Sequence, residues 1–509
     1  MNLRWVPLIR PVMFRVNFRD KNRKTERKRT GWVTFKTYGF NRQKTKRWQN
    51  DNPQNMKQTT AESRQDPPIQ NKNYKMKKIL SALSLSILTV SAFAQSGTNS
   101  PYSQYGLGVL TDQGNGINRG MNGVGLGLRE GNQINYLNPA SYSSVDSLTF
   151  IFDVGMSLQV TNFKEGNVKK NANNADFEYA VGGFRLMPRM GLAFGILPYT
   201  NIGYSYQSSG VIDRDDTQSQ TSYSNVYSGS GGLHQVFLGL GWEPVRNFSI
   251  GVNGGYLWGN STRSVATSYS DNYANTLSKT YSYNVSSYKL DFGLQYSQKI
   301  SKKDRITLGA TYGLGHNMNA DPALDIVSVN SQTGVTDTTS FVSRNGIELP
   351  NEFAVGLAYS HNGQLTLAFD YQMQQWSKVK YPKYSTGSNG SPSYHTATNM
   401  FDDRQKFNLG AEYCRDKAGR SFSSRIRYRL GASYTTPYLK INGLEGPKEL
   451  SVSGGFGIPI INGWNNRSIL NISAQWVRSS AKDMITENTF RINVGLTFNE
   501  RWFAKWKFD

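Results

Sequence analysis

From Thr149 to the end of the chain, apolar and polar residues alternate with a period of two. Phe150, Phe152, Val154, Met156, Leu158 and Val160 share one parity, and Thr149, Asp153, Gly155, Ser157 and Gln159 share the other. Successive strand side chains point to opposite faces, so such a run is a strand with one greasy face and one small or polar face. The pattern returns at Phe248–Trp258, Leu290–Tyr296, Ile306–Tyr312, Phe353–Tyr359, Leu365–Tyr371, Phe407–Tyr413, Ile426–Tyr434, Leu450–Phe456, Leu470–Trp476 and Phe490–Phe498. Three less regular strands are read near 176–187, 189–204 and 232–242, for a total of about 14, in the range of single-chain barrels.

The connections alternate in length. Short ones fall near 188, 243–246, 301–304, 361–363, 415–423 and 460–467. Long ones, rich in Ser, Thr, Asn, Tyr and Gly, fall near 161–175, 205–231, 260–284, 316–350, 377–403, 438–448 and 479–489. Short turns on one side and long loops on the other predict an all-β fold, a transmembrane antiparallel barrel. A soluble β-sandwich has the same period but explains neither the alternation of connections nor the aromatic strand ends. In lipid only a closed barrel satisfies every strand hydrogen bond.

Ahead of the strands lies a different kind of sequence. Nine glycines fall between Gly106 and Gly131, and Asn135-Tyr136-Leu137-Asn138-Pro139-Ala140-Ser141-Tyr142 closes the stretch with aromatics and a rigid turn. We read residues 95–146 as a compact plug (hatch) in the lumen, with the barrel at 147–499 closing around it.

Charge and targeting refine the picture. The net charge of +23 is concentrated at the N-terminus, where residues 1–75 hold 19 Lys+Arg against 5 Asp+Glu. A nucleic-acid arm is the minor reading of that block. Met76-Lys77-Lys78, the apolar run Ile79–Val90 and the small-x-small site Ala92-Phe93-Ala94 before Gln95 form a signal peptide over 76–94. Translation is therefore expected to start at Met76, with 1–75 a mis-assigned start or a disordered segment. Residues 500–509 are expected to form a periplasmic aromatic-basic tail carrying Trp502, Phe503 and Trp506.

Nothing points to an enzyme. Nucleophile, base and orienting group do not come together, the four histidines are scattered, and the single Cys414 excludes a disulfide framework. No metal or cofactor is expected. Asp213-Arg214-Asp215-Asp216 in a loop is read as solvated rather than calcium-binding. On the polar wall face, Arg425, Arg427 and Arg429 share one parity beside Glu412 of the preceding strand. With Asp370 and Arg491 they are expected to form an ion-pair network bracing the plug; an anion-selective constriction is the alternative.

These features together resemble the FadL/OmpP1/TodX outer-membrane transport family. The resemblance rests on the signal peptide, on Arg119-Gly120-Met121-Asn122-Gly123-Val124-Gly125-Leu126-Gly127 before Asn138-Pro139-Ala140, and on the strands. Ser100–Gly106 and Arg501–Lys507 look like Bacteroidota members. The resemblance implies an integral bacterial outer-membrane protein that passes small hydrophobic or amphipathic molecules, gated by the plug. It also implies dependence on outer-membrane lipid and on the insertion machinery. A PorV-like branch implies the alternative: a non-conducting barrel acting as scaffold or shuttle in a surface protein secretion or assembly machine, with envelope protein partners. The polar parity of the wall shows no continuous apolar path.

Overall fold

The computed structural model describes residues 2–4, 97–212, 220–386, 391–462 and 465–501. The expected cleavage site Ala92, Ala94 and Gln95, the loop carboxylates from Asp213, and the tail beyond Arg501 lie outside the described residues.

One antiparallel sheet dominates. Fourteen of its strands form the wall: β1 Thr149–Glu165, β2 Val168–Met187, β3 Met190–Ile212, β4 Thr221–Val245, β5 Phe248–Tyr269, β6 Thr276–Lys299, β7 Asp304–Gly313, β8 Glu352–His361, β9 Leu365–Gln374, β10 Arg404–Tyr413, β11 Arg427–Thr435, β12 Lys448–Asn462, β13 Asn465–Ser480 and β14 Thr486–Arg501. Each pairs with its successor, and β14 pairs with β1 from Thr486↔Lys164 to Arg501↔Thr149. The cylinder is therefore closed, and β14 runs two residues past the expected end at 499.

The two faces are inverted relative to a soluble protein. Apolar side chains such as Leu158, Leu238, Leu308, Val355, Leu430 and Ile492 point outward and are exposed. Ser157, Asn253, Gln295, Thr307, Asp370, Asn408, Ser453 and Asn493 point inward and are buried. Exposed greasy residues around a whole cylinder are stable only where hydrocarbon is the outer solvent.

One expectation about connections is corrected. The stretches near 161–175, 205–231, 260–284 and 479–489 are not long loops; the last is reduced to residues 481–485. β1 and β2 meet at Gly166–Asn167, and β3 to β6 run for 23, 25, 22 and 24 residues. About 10 residues suffice to cross a bilayer, so these strands continue well beyond it. The physical reason is that alternating Ser, Thr, Tyr and Asn suits an exposed sheet, where aromatic and β-branched side chains pack on the pleat. The long connections 314–351 and 375–403 each carry a short hairpin, and Ala323–Val329 pairs with the extension of β6.

The wall is incomplete at one place. β2 and β3 pair only from Ala180↔Ile196 to Met187↔Met190. Above that, the pairing of β3 with β4 shifts register between Pro198 and Thr200, and the edge of β3 left by β2 accepts Val109 and Leu110 as a short antiparallel strand.

Candidate functional site

The glycine-rich stretch meets the inward face of the wall at backbone distance. A Cβ on Gly127 would lie 2.8 Å from the Ala358 amide nitrogen and 3.0 Å from the Thr307 carbonyl oxygen. A Cβ on Gly120 would lie 2.9 Å from Arg429 Cδ, and one on Gly125 only 2.4 Å from Leu137. Gly123 takes φ +90°, where a side chain is strained. One helical turn, α1 (Gly116–Gly120), is capped by Asn115, whose side chain accepts from the Ile117 and Asn118 amides.

The wall supplies matching glycines. Gly191, Gly241, Gly251 and Gly293 stand opposite one another on β3, β4, β5 and β6 and form one row across four strands. Asn138-Pro139-Ala140 sits on this row: a Cβ on Gly251 would be 2.3 Å from the Pro139 carbonyl carbon. Asn138 caps the following helical turn by accepting from the Ala140 amide at 3.1 Å. Its Nδ2 donates to the carbonyls of Leu126 and Leu294, both at 3.0 Å. The row escaped the sequence reading because its members are far apart in the chain and lie among the other small residues of the inward parity. The signal available was a glycine at the inward parity of four successive strands.

Charges of the N-terminal stretch are paired with the wall. Arg119 meets Glu178 of β2 at 2.7 Å, and Arg129 meets Glu243 of β4 at 2.7 Å. Asp112 lies between Lys406 of β10 at 2.9 Å and Arg491 of β14 at 3.6 Å. Glu130 takes Lys417 at 3.0 Å and Arg427 of β11 at 3.6 Å. Lys406, helped by Arg491 and Arg119, holds the Asp112 carboxyl well below the usual range. Burial alone would raise Glu130, but Arg427 and Lys417 outweigh it and hold it down.

The single arginine network expected from parity is divided. Glu412 does bridge Arg427 at 3.3 Å and Arg429 at 2.7 Å, and Arg429 donates on to Asn471 at 2.6 Å. Arg425 does not share that face. It ends a turn of 3-10 helix, Ser423–Arg425, because the strand begins only at Arg427. Asp370 stands apart from the arginines and accepts the Gly125 and Leu126 amides at 2.6 and 3.0 Å. Arg491 serves Asp112 and Gln159 instead.

Toward the long-loop end, Tyr102 and Leu107 pack with Leu257 and Val285 of the wall and with Met318, Ile347, Trp376, Phe401 and Tyr438 of the loops. Below this aromatic cap lies a cavity lined by Asp112, Arg119, Lys289, Glu352, Arg404 and Lys406 together with apolar side chains such as Leu137, Leu197 and Phe237. Among the described residues no group of His, Cys, Asp and Glu could hold a metal ion.

A family model described as BamG matches residues 76–509. The chain belongs to the BamG family. A search of curated proteins finds no match for this family member. Among solved structures, its fold is similar to the Ralstonia pickettii toluene transporter TbuX, at 15% identity and TM-score 0.52 over 77% of this chain and 99% of that one. It is also similar to a monoaromatic hydrocarbon channel, a TodX deletion mutant, at 13% identity and TM-score 0.51 over 76% and 99%. A Pseudomonas aeruginosa FadL homologue gives 12% identity and TM-score 0.50 over 77% and 99%. This BamG-family member thus shares the architecture of FadL-type barrels, a closed cylinder with its apolar face outward.

Proposed function

We propose that residues 97–146 act as a plug, and that the protein is a closed barrel serving as scaffold or shuttle subunit of a surface protein assembly or secretion machine. The observation that carries this reading is the way the lumen is filled. Plug charges are neutralised by wall charges, the mouth is packed with aromatics, and the space between is lined by charged as well as apolar side chains. A hydrocarbon crossing it would have to displace buried ion pairs, at a cost of several kcal/mol per uncompensated charge.

A second reading follows from the missing β2–β3 pairing. Small hydrophobic or amphipathic molecules would leave the lumen sideways into the bilayer, with the plug as gate. Its structural neighbours, a toluene transporter and a monoaromatic hydrocarbon channel, favour it.

Purification in mild detergent separates the two. The scaffold reading expects stoichiometric outer-membrane assembly proteins, and liposomes that stay impermeable to toluene-sized solutes with the plug intact or cross-linked. A monodisperse barrel holding a hydrophobic ligand, with permeability that rises on plug deletion, would overturn it in favour of transport.

A further inference from the structure

Strands β12, β13, β14, β1 and β2 sort charge across the sheet at the long-loop end. The outward positions directly beyond Trp476, Phe490 and Val160 carry Arg478, Asn488, Asn162 and Asn171, with Lys164 and Lys169 one step higher. Register places them side by side. Arg478 stands opposite Asn488, Asn488 opposite Asn162, and Asn162 opposite Asn171, to which it donates at 2.6 Å; one step higher, Lys164 stands opposite Lys169. The carboxylates of the same strands at this height, Glu449 and Glu487, take the inward parity and line the lumen. Glu165 and Asp483 sit at the turns. The next outward residues down, Trp476, Phe490 and Val160, are exposed and apolar.

Two residues along a strand rise about 7 Å, which sets Arg478 about 7 Å beyond Trp476 and Lys164 and Lys169 about 13 Å beyond Val160, in the headgroup zone when Trp476, Phe490 and Val160 meet hydrocarbon. The end with long loops faces the cell surface in bacterial barrels. We infer that this sector is a binding surface for phosphorylated glycolipid of the outer leaflet. Arg478, Lys164 and Lys169 take the phosphate, and the Asn488–Asn162–Asn171 row faces the sugar. Arginine suits planar recognition of phosphate and lysine supplies point charge. A solvated charged face would place acids and bases on the same side; here the acids are turned inward.

The test uses the full chain in nanodiscs of zwitterionic phospholipid doped with lipid A, read by native mass spectrometry and by lipid A titration. Retention of lipid A over its dephosphorylated form is expected. In the triple variant K164Q/K169Q/R478Q, lipid A binding should weaken about tenfold or more, since each cation near an anionic headgroup adds its own attraction. K302Q/K303Q, at the opposite end, should leave it unchanged. Unaltered heat-modifiable migration on gels shows that the triple variant still folds. Equal retention of both lipids, unchanged binding in the triple variant, or displacement of lipid A by millimolar inorganic phosphate would overturn the assignment.

Discussion

Arg119 of the N-terminal stretch and Glu178 of β2 meet at 2.7 Å with both side chains nearly lost to solvent, at 3% and 8% exposure. Arg119 also donates to the carbonyls of Gly114 and Asp112 at 2.8 Å, so one side chain fixes its own segment and ties it to the wall. Removing one partner of such a pair strands a buried charge, which costs about 3–5 kcal/mol. Arg119→Ala and Glu178→Ala should therefore each free the stretch, seen as faster amide exchange over 112–131. The double substitution should be milder than the sum of the singles. Strict additivity would mean that the two charges do not act on each other.

The glycine row makes a steric prediction. Gly251→Ala would push a methyl onto the Pro139 backbone, whereas a Cβ on Gly254 has its nearest neighbour at 3.8 Å. Overpacking of this kind costs about 1–3 kcal/mol. Thermal unfolding in detergent should show Gly251→Ala clearly destabilised and Gly254→Ala close to wild type. Equal melting temperatures would mean that Asn138-Pro139-Ala140 does not rest on β5.

The outward face can be tested with a single charge. Leu430 is 68% exposed and lies within the apolar band of β11. Leu430→Arg should cost about 2–4 kcal/mol in a bilayer and much less in a detergent whose headgroup reaches the site. The relevant measurement is urea unfolding in lipid vesicles. Tolerance of the arginine there would contradict a membrane-facing β11.

Acid should release the stretch only late. Asp112 and Glu130 have folded-state pKa values below their ordinary 3.8 and 4.5. Lowered carboxyls add stability above their unfolded values and lose it as pH falls through the folded ones. Docking contributed by these two groups should hold from neutrality to about pH 4 and fade in stronger acid. Pepsin cleavage within 105–131, followed at stepped pH, reads this directly. Cleavage that begins near pH 6 would show that other groups control docking.

The strands of the wall were legible because lipid outside and polar contents inside impose period two on each one. Met156, Leu158 and Val160 against Ser157 and Gln159 state the rule within a few residues. The extensions of β3 to β6 were misread as loops because polar alternation beyond the bilayer carries no apolar signal. Arg425 was misplaced because parity was carried back past the start of β11. The pairing of Glu130 with Lys417 and Arg427 was out of reach, since sequence gives no distance between residues nearly 300 positions apart.

The sequence by itself determined that these strands must close into a cylinder with its greasy side out, because each carries that requirement locally in its alternation. The tertiary structure alone decided which wall charge meets which charge of the N-terminal stretch, which glycines let backbone touch backbone, and where β2 and β3 part. Those relations depend on strand register and on the path of the chain inside the ring. Both are set by the summed packing of distant segments and by no single stretch of residues.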